Sequence, residues 1–526
     1  MTTFGIAVWL YPEHEGYQAM LCDIIWSICN EYTWCLPAHL SGQSETETGS
    51  QIRPTIDLFA AETAFALAEL AQLQKAWLPS IICKRIHDEV LQRVLNPFIE
   101  GSRYYGWEQA KHNWSAVCGG SVGAAALYIL REQPEQLASV LGRVLPALEC
   151  YLSGYDKDGV CTEGYGYWEY GFGYYVYFAD LLKKGSSGKV NLFANEKVEQ
   201  IARFQQKAFL DGRTVVNFSD ALASSGVFMG LGHYLHLNIS GVDAPPCSLM
   251  KSFSEDHCSR WAPAIRNLIW FNPEVTGETW SAGHYWLEDA QWLISRHVTA
   301  EGRYVLAAKG GHNAEPHNHN DLGHFILYGE GTTWLADLGS GLYTAQYFGE
   351  ERYQIACNAS FGHSVPIIDG AYQLAGSAHR ANISHFELME EKVELVMELT
   401  SAYEVPSLQC LERSLVWHKE ESPYLELNDS YIFSAIPEQV IERFICAMKP
   451  SIEVGQVELA ANDVTLQIAY PTDMLEPSVT EIEHINHFGH KQVFYALDFR
   501  ILSLALLMDV KFVFSFQKIH KSIIEE

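Results

Sequence analysis

Residues 317–341 read HNHNDLGHFILYGEGTTWLADLGSG, and this stretch decides how the chain is interpreted. Phe325–Tyr328 and Thr332–Ala336 are rich in β-branched and aromatic residues and are separated by Gly-Glu-Gly, so they predict a strand, a turn and a returning strand. His317 and His319 precede the first strand, and residues two apart on an extended backbone point to the same face. The stretch therefore predicts a hairpin with two imidazoles at its entrance.

Two further side chains extend this pattern toward a metal site. Asp337 ends the returning strand, and His363 follows in NASFGHSVPIIDG. Histidine and aspartate together can hold a transition metal ion, and the spare histidine can do chemistry beside it. The chain has 21 histidines, so the alternative interpretation of the His-x-His pair is two polar residues at a strand edge.

Four sequence blocks of this region, HNHNDLGHFILYGEG, WLADLGSGLYT, YFGEERY and NASFGHSVPIIDG, closely resemble the C-terminal signature of the heparinase II/III-like family. That family consists largely of polysaccharide lyases acting on uronic-acid polymers. The resemblance is strong over residues 305–372 and weaker upstream. It implies that His317 is catalytic and that His319, Asp337 and His363 bind one divalent metal ion. Zinc is the expected ion and manganese is possible.

The first half of the chain has the pattern of packed helices. Apolar residues recur at near-helical spacing between Gly, Pro and Asp breaks. Their similar lengths and short links predict stacked helical hairpins, which could form a bundle, a solenoid or a toroid. The predicted helices are Thr55–Lys75, Ile81–Ile99, Ser121–Arg131, Pro134–Leu152, Tyr170–Lys183, Asn195–Phe209 and Ser219–His236.

After about residue 280 the pattern changes to short runs rich in β-branched and aromatic residues, separated by turns. Such spacing predicts an antiparallel sandwich. We therefore predict an α domain over residues 1–278 and a β domain over residues 279–526, with the junction near Pro273–Gly283. The family resemblance implies an incomplete α/α toroid followed by an antiparallel β-sandwich, with the active site in the cleft between them. The runs include Tyr304–Ala308, Val393–Thr400, Ser414–Trp417, Leu425–Phe433, Val464–Ala469, Val493–Phe499 and Lys511–Ser515.

A first catalytic motif lies in the helical half, at residues 107–120 (WEQAKHNWSAVCGG). It resembles the family's Asn-Trp block, in which an asparagine hydrogen-bonds the substrate carboxylate. The resemblance implies this role for Asn113, with His112 as the alternative donor and with His112 and Trp114 as substrate contacts. An amide there would stabilise developing charge in the manner of an oxyanion hole. On the residues alone, Asn113 could instead cap the following helix.

A second motif, at residues 158–175 (DGVCTEGYGYWEYGFGYY), resembles the family block EGxxYW that supplies the catalytic tyrosine. Tyr167 matches that position, and Trp168 is expected to contact substrate. Tyr165 and Tyr170 compete with Tyr167, since Tyr165 stands where family members commonly have proline. A free tyrosine has a pKa near 10, so a tyrosine base needs cationic neighbours or the field of the metal. The alternative is an aromatic belt lining the toroid.

The composition limits the partners. A net charge of −29 argues against a nucleic-acid binder. The same charge would repel a polyanionic glycan, although salt screens it over about 8–10 Å. A locally basic cleft that uses Lys111, Arg103, Arg352 or Arg380 could reverse the repulsion, and Arg352 is also a predicted substrate contact. The 14 Trp and 27 Tyr suit stacking on sugar rings or a large aromatic core.

The remaining features concern location. The 12 cysteines are scattered with no Cys-x-x-Cys pair, and the N-terminus lacks a signal peptide. No apolar stretch reaches the ~20 residues needed to span a bilayer. We therefore expect a cytoplasmic protein without a membrane partner, or a secreted or periplasmic one if a signal has been removed.

These features together predict a polysaccharide lyase that cleaves a uronate-containing, glycosaminoglycan-like substrate by β-elimination. One alternative is a glycoside hydrolase acting on unsaturated uronate oligosaccharides. Another is a non-catalytic, metal-stabilised carbohydrate-binding protein. The polymer, the linkage, the endo or exo action and the oligomeric state stay open.

Overall fold

The computed structural model describes residues 1–40, 55–101, 104–300 and 302–518, so Arg103 lies outside the described part. Contacts divide the chain into two compact units. The helical unit comprises Met1–Gly159, Tyr167–Arg203 and Gly226–Gly277. The β unit comprises Val160–Gly166, Phe204–Ser225 and Glu278–Glu526. Its last segment begins one residue before the predicted domain start at 279. Its two shorter segments come from the half of the sequence predicted as purely helical.

The α-helices of the described residues occupy mainly the first half of the chain. They are α1 (Thr2–Leu10), α2 (Glu15–Asn30), α3 (Leu58–Leu73), α4 (Ser80–Val90), α5 (Asn96–Glu100), α6 (Asn113–Ile129), α7 (Pro134–Ser153), α8 (Tyr165–Gly185), α9 (Glu196–Ala202), α10 (Phe204–Ala208), α11 (Met229–Asn238) and α12 (Trp261–Ile269).

Most predicted helices are present with shifted ends. The prediction of a helix over Ser219–His236 is wrong for its first ten residues, because α11 begins only at Met229. Ser219 has a φ of 61°, a left-handed conformation that cannot continue a right-handed helix. No helix among the described residues is both long and apolar enough to cross a membrane.

Helices α6 and α8 pack closely and run in the same direction. A Cβ added at Gly120 would lie 2.9 Å from the carbonyl oxygen of Tyr174, and one added at Gly123 would lie 2.5 Å from the ring of Phe178. The later residue of α6 contacts the later residue of α8, so the two helices are parallel. The small residues of α6 are needed because any side chain there would collide with α8.

Helix α3 has the same direction as α6. Near their starts, Trp107 Nε1 donates to the carbonyl oxygen of Ile56 at 2.8 Å. Near their ends, Tyr128 Oη donates to Glu69 Oε1, also at 2.8 Å. The N-termini of α3, α6 and α8 therefore lie at one end of the helical unit. Each N-terminus carries a partial positive charge from its unpaired backbone N–H groups.

The β unit contains two large antiparallel sheets, as predicted. One has the strand order β11-β12-β13-β14-β21-β18-β17-β16, and the other β19-β20-β15-β8-β7-β5-β4-β3, with β9 paired to β15. The strands are β1 (Phe209–Asp211), β2 (Thr214–Val215), β3 (Gly283–Leu287), β4 (Trp292–Val298), β5 (Arg303–Lys309), β6 (His312–Asn313), β7 (Phe325–Gly329), β8 (Thr332–Leu335), β9 (Ile367–Ile368), β10 (Gly376–Arg380), β11 (Asn382–Leu388), β12 (Lys392–Glu398), β13 (Leu408–His418), β14 (Tyr424–Phe433), β15 (Val440–Cys446), β16 (Ser451–Glu453), β17 (Gln456–Ala461), β18 (Val464–Ala469), β19 (Leu475–Ile485), β20 (Lys491–Ile501) and β21 (Leu507–Lys518).

The two sheets share one apolar core. Phe325 of β7 and Phe444 of β15 come from one sheet, and both rings contact Phe514 of β21 in the other, at centroid distances of 5.8 and 5.2 Å. The sheets thus pack face to face as a sandwich. The β7–β8 hairpin closes through Glu330 and Gly331, which both have positive φ, as a two-residue type I′ turn requires.

Candidate functional site

The two histidines of the His-x-His pair converge on a shared carboxylate. His317 Nδ1 lies 2.7 Å from Asp220 Oδ2, and His319 Nε2 lies 3.1 Å from Asp220 Oδ1. The prediction that both side chains leave one face of an extended strand is wrong, because His317 lies in a loop with a φ of 57°. Their convergence comes instead from the buried aspartate between them.

Asp220 is surrounded by donors. Its side chain is fully buried, and the hydroxyls of Tyr343 and Tyr347 donate to it, the first at 3.2 Å. Arg352 Nη2 lies 3.6 Å from Oδ2. Burial alone would raise the pKa of Asp220, but the hydrogen bonds from the two histidines outweigh it and hold the pKa well below its usual range. Asp220 is therefore an ionised carboxylate.

An ionised carboxylate can only accept hydrogen bonds, so His317 Nδ1 must donate to Asp220. The tautomer is thereby set, and Nε2 becomes the ring nitrogen that can exchange a proton with a ligand. Nε2 lies 3.7 Å from Glu163 Oε2, and the side chain of His317 is 23% exposed. An oriented, partly exposed imidazole of this kind can act as a general acid or base.

Asp220 was not predicted from the sequence. It lies 97 residues before His317, in a segment predicted as helix, and no motif marks it. Arg352, predicted as a substrate contact, lies beside it. The Arg352 guanidinium donates to the backbone carbonyls of Tyr347 and Asn318, at 3.0 and 2.9 Å. It therefore also holds the loop around His317.

Four buried side chains form a cluster of metal-ligand type. His319, Asp321, Asp337 and His363 each offer one ligand atom, and these atoms all lie within 4.8 Å of one another. Three of these residues were predicted as ligands from the sequence. Asp321 is an addition, and its only sequence signal is its place two residues after His319.

The hydrogen bonding of the cluster fits a cation. His319 Nδ1, His363 Nδ1 and one oxygen each of Asp321 and Asp337 are buried and have no hydrogen-bond partner within the described part of the chain. A buried polar atom left unpaired costs about 1–3 kcal/mol, so four such atoms close together form a candidate site for a cation. The opposite ring nitrogens are occupied, since His363 Nε2 lies 2.9 Å from the Cys357 carbonyl oxygen. This leaves the Nδ1 lone pairs directed at the cluster.

Distances and charges agree with this assignment. His363 Nδ1 lies 3.5 Å from Asp337 Oδ2, close to the ~3.3 Å that separates two ligands of a tetrahedral zinc ion at bond lengths of about 2.0–2.1 Å. Burial lowers the pKa of His319 and so favours its neutral imidazole, whereas the adjacent Asp337 carboxylate outweighs burial at His363 and raises the pKa of that ring. Lys309 Nζ lies 2.6 Å from Asp321 Oδ1 and offsets part of the buried negative charge.

His324 lies beside this cluster without being one of its four residues. Its side chain is fully buried, and Nε2 lies 3.3 Å from Asp337 Oδ2. Its Nδ1 accepts a hydrogen bond from the backbone N–H of Ser364 at 2.9 Å, so Nε2 must carry the proton. His324 thus presents a donor toward Asp337 and cannot serve as a ligand through that atom.

In the helical unit, Asn113 is the first residue of α6, and the N-cap is His112, whose side chain makes no capping hydrogen bond. The capping alternative for Asn113 is therefore not observed. His112 Nδ1 lies 3.3 Å from Asn113 Oδ1. Trp114 and His112 are both partly exposed, whereas Asn113 is only 4% exposed. The three residues stand at the positively polarised end of the helix.

Tyr167 lies on the first turn of α8 and is partly exposed. Gly171 follows one turn later, and a Cβ added there would lie 3.0 Å from Asn113 Cβ. Residues four apart share one face of a helix, so Tyr167 projects from the side of α8 that packs against the start of α6. The structure therefore brings Asn113 and Tyr167 to neighbouring positions.

The two competing tyrosines are engaged elsewhere. Tyr165 is buried, and its hydroxyl accepts a hydrogen bond from Gln205 Nε2 at 3.0 Å. The Tyr170 hydroxyl donates to Glu62, and burial together with that carboxylate raises its pKa well above the ordinary value. Trp168, predicted to contact substrate, has no exposed surface and donates through Nε1 to the Ile201 carbonyl oxygen. Its ring belongs to the helical core in this structure.

Among known protein families, one matches a part of the β unit. Residues 282–462 match the family described as heparinase II/III-like, C-terminal. The matched region contains His317 and the whole candidate metal cluster, whereas Asp220 lies outside it. The search of curated proteins found no match.

Solved structures extend the likeness of the heparinase II/III-like fold over nearly the whole chain. A mutant of the heparan sulfate lyase HepC from Pedobacter heparinus has 12% sequence identity and a TM-score of 0.65, covering 98% of this chain and 75% of that one. A crystal structure of heparinase III has 12% identity and a TM-score of 0.67, with coverages of 98% and 75%. A heparinase III gene product with methylated lysines has 13% sequence identity and a TM-score of 0.66, covering 99% of this chain and 77% of that one. The predicted fold is confirmed, and residues 282–462 match the family that the sequence blocks resemble.

Proposed function

We propose that this chain is a polysaccharide lyase that cleaves uronate-containing glycans of the glycosaminoglycan class by β-elimination. The observation that carries the proposal is His317, fixed by the buried Asp220 beside a cluster of metal-ligand residues, inside a domain matched to the heparinase II/III-like family. Lyases share the fold, and the comparison structures include a heparan sulfate lyase.

The reaction sets three requirements. A base removes the C5 proton of the uronate, and the electrons of that C–H bond form the C4–C5 double bond. The C4–O4 bond breaks, and an acid gives a proton to O4. The negative charge that develops on the C6 carboxylate must be stabilised throughout the reaction. This stabilisation makes the C5 proton acidic enough to be removed. No water is consumed, so a pair of carboxylates arranged for hydrolysis is not required.

Three residues can meet these requirements. Asn113 would donate its amide to the C6 carboxylate, at the N-terminus of α6 where the helix dipole adds to the stabilisation. Tyr167 would exchange protons with C5 and O4. His317 would donate from Nε2 to the carboxylate when the ring is protonated or, when the ring is neutral, would act as a second base for the C5 proton of the opposite epimer. The partly exposed His112, Trp114 and Arg352 would contact the glycan at or beside the reacting sugar.

We further propose that His319, Asp321, Asp337 and His363 hold one divalent ion, with zinc favoured by the two imidazoles and the short ligand separation and manganese possible. Bound there, the ion would neutralise the buried carboxylates and hold the loop that carries His317. Its structural effect reaches His317 because His319 and His317 share Asp220.

The acidity of the whole chain is compatible with an anionic substrate at this end of the helical unit. The N-termini of α6 and α8 lie together and contribute partial positive charge, whereas the N-terminus of α3 is capped by the Asp57 carboxylate. Lys111 is exposed just before α6. Salt screens the acidic residues that lie farther than about 8–10 Å from the substrate.

The test is a panel of heparan sulfate, chondroitin, hyaluronan and alginate, followed by ultraviolet absorbance of the unsaturated product. We expect absorbance to rise with one of these polymers and the Tyr167→Phe variant to be inactive on it. Release of reducing ends without absorbance would assign a hydrolase instead. Binding without turnover by the wild-type protein would assign a carbohydrate-binding protein.

A further inference from the structure

The helical unit contains a second histidine held by a buried aspartate. His39 Nδ1 lies 2.7 Å from Asp57 Oδ2, and the side chains are 27% and 1% exposed. His39 belongs to a short helical turn at Pro37–His39, and Asp57 immediately precedes α3. The proposed reaction assigns neither residue a role.

Backbone donors fix the Asp57 carboxylate. Its Oδ1 accepts the N–H of Ala60 at 2.8 Å as the N-cap of α3, and its Oδ2 accepts the N–H of Leu36 at 3.0 Å. Because a carboxylate only accepts, His39 Nδ1 donates to it and Nε2 carries the lone pair. The aspartate thus sets both the tautomer and the orientation of His39.

A metal site at this position is the competing interpretation, since Cys35 also lies close to His39 and Asp57. The geometry argues against it. A separation of 2.7 Å between Nδ1 and Oδ2 is a hydrogen bond, shorter than the ~3.3 Å between two ligands of a tetrahedral zinc ion. Burial and the neighbouring Asp57 also raise the pKa of Cys35 to about 12, so the thiol keeps its proton.

The position of His39 links it to the predicted substrate contacts. Its ring meets the ring of Trp114 edge-on, with centroids 4.9 Å apart. Trp114 follows Asn113 directly in α6, and the starts of α3 and α6 lie at the same end of the helical unit. A partly exposed imidazole and a partly exposed indole therefore stand side by side next to Asn113.

We propose that His39 is a substrate-binding residue, forming with Trp114 a subsite for the sugar next to the one that reacts. The Trp114 face would pack on the C–H surface of that sugar, and His39 Nε2 would accept a hydrogen bond from one of its hydroxyls. The ligand class rests on the proposed function. The pairing of an oriented imidazole with an aromatic face is a property of the described residues.

Two variants of His39 separate binding from a purely structural role. In His39→Asn the amide nitrogen stands close to the place of Nδ1 and can still donate to Asp57, but Nε2 is lost. In His39→Ala both are lost. Affinity is measured by calorimetry with a uronate-containing oligosaccharide of at least four sugars, in a Tyr167→Phe background that prevents turnover. Thermal unfolding is recorded for each variant.

We expect His39→Asn to unfold within about 2 °C of its parent and to bind about 3–10-fold more weakly, the contribution of one hydrogen bond. When His39→Asn is made alone in the wild-type protein, KM should rise by the same factor and kcat should stay nearly unchanged. Unchanged affinity and KM in His39→Asn would overturn the proposal and assign His39 a structural role.

The outcome is separable from that of the proposed function. If wild-type protein forms no unsaturated product yet binds an oligosaccharide, the lyase proposal fails and the His39→Asn affinity still decides the subsite. If no oligosaccharide of the panel binds at all, both proposals are overturned.

Discussion

The two units each present a partly exposed histidine held by a buried aspartate at the same distance of 2.7 Å, yet they build this pair differently. Asp57 is held by the backbone N–H of Ala60 at the start of α3 and by that of Leu36, 21 residues earlier. Asp220 is held by side chains from 97 to 127 residues away. The Asp57–His39 pair is thus the local pair, with its residues 18 apart, whereas the long-range pair at Asp220 exists only once the β unit has folded.

The largest effect is expected at Tyr167. It tests whether the proton exchange in the helical unit is carried out by this tyrosine or by the aspartate–histidine pair of that unit. Tyr167→Phe should lower kcat by about 10²–10⁴, because only the proton-exchanging oxygen is removed. Its melting temperature should stay near that of wild type. Tyr165→Phe and Tyr170→Phe are the controls, since both hydroxyls are held by other side chains. Full activity in Tyr167→Phe combined with its loss in a control variant would move the catalytic role to that tyrosine.

A second experiment compares the two histidines directly. His317→Ala and Asn113→Ala should each lower kcat by about 10²–10³, because each removes an interaction with the reacting sugar. His39→Ala should act mainly on KM. Steady-state kinetics on the polymer identified by absorbance gives both constants. A larger loss of kcat in His39→Ala than in His317→Ala would reverse the roles assigned to the two pairs.

Only the pair in the β unit should depend on a metal. His363→Ala should lose a stoichiometric ion and melt about 5–10 °C lower, because an ion bound only to the native state adds to stability. Metal analysis and thermal unfolding, with and without chelator, measure both effects. Cys35→Ser, in the helical unit, is the matched control and should keep its full metal content. Purified protein without stoichiometric metal, even after zinc or manganese is supplied, would remove the metal assignment.

The smallest effect concerns stability at the local pair. Asp57→Asn should lower the free energy of unfolding by about 1–2 kcal/mol, because asparagine still caps α3 but its amide nitrogen cannot accept from Leu36 or His39. Asp220→Asn should lower the free energy of unfolding by about 3 kcal/mol or more, since the amide nitrogen cannot accept hydrogen bonds from the donors around this buried site. Denaturant unfolding of both variants measures the difference. An equal loss of unfolding free energy in the two variants would mean that the two aspartates contribute equally to stability despite their different surroundings.

The sequence predicted those parts of the molecule whose signal is local. The change of period near residue 280, the β7–β8 hairpin and three of the four metal-cluster residues could be found because each lies in or beside a short motif. The Asn-Trp block lies at the start of α6, eight residues before the predicted start of that helix at Ser121. In these places side-chain pattern and backbone geometry agree.

What the sequence missed depends on contacts between distant segments. Asp220 lies in a segment that alternates small and polar residues and was predicted as helix, and only its partners give it a function. Trp168 has the same aromatic character as its neighbours, and its burial follows from how α8 packs. His324 differs from an exposed histidine only through the β strands that enclose it.

The β unit draws Val160–Gly166 and Phe204–Ser225 from the first half of the chain. A fragment beginning at residue 279 would therefore contain His317 and all four cluster residues but neither Glu163 nor Asp220. During synthesis, the carboxylate that orients His317 leaves the ribosome almost a hundred residues before the histidine does. Any recombination that exchanges the helical half must bring both segments with it, so the two halves of this gene are expected to be inherited together rather than shuffled as separate modules.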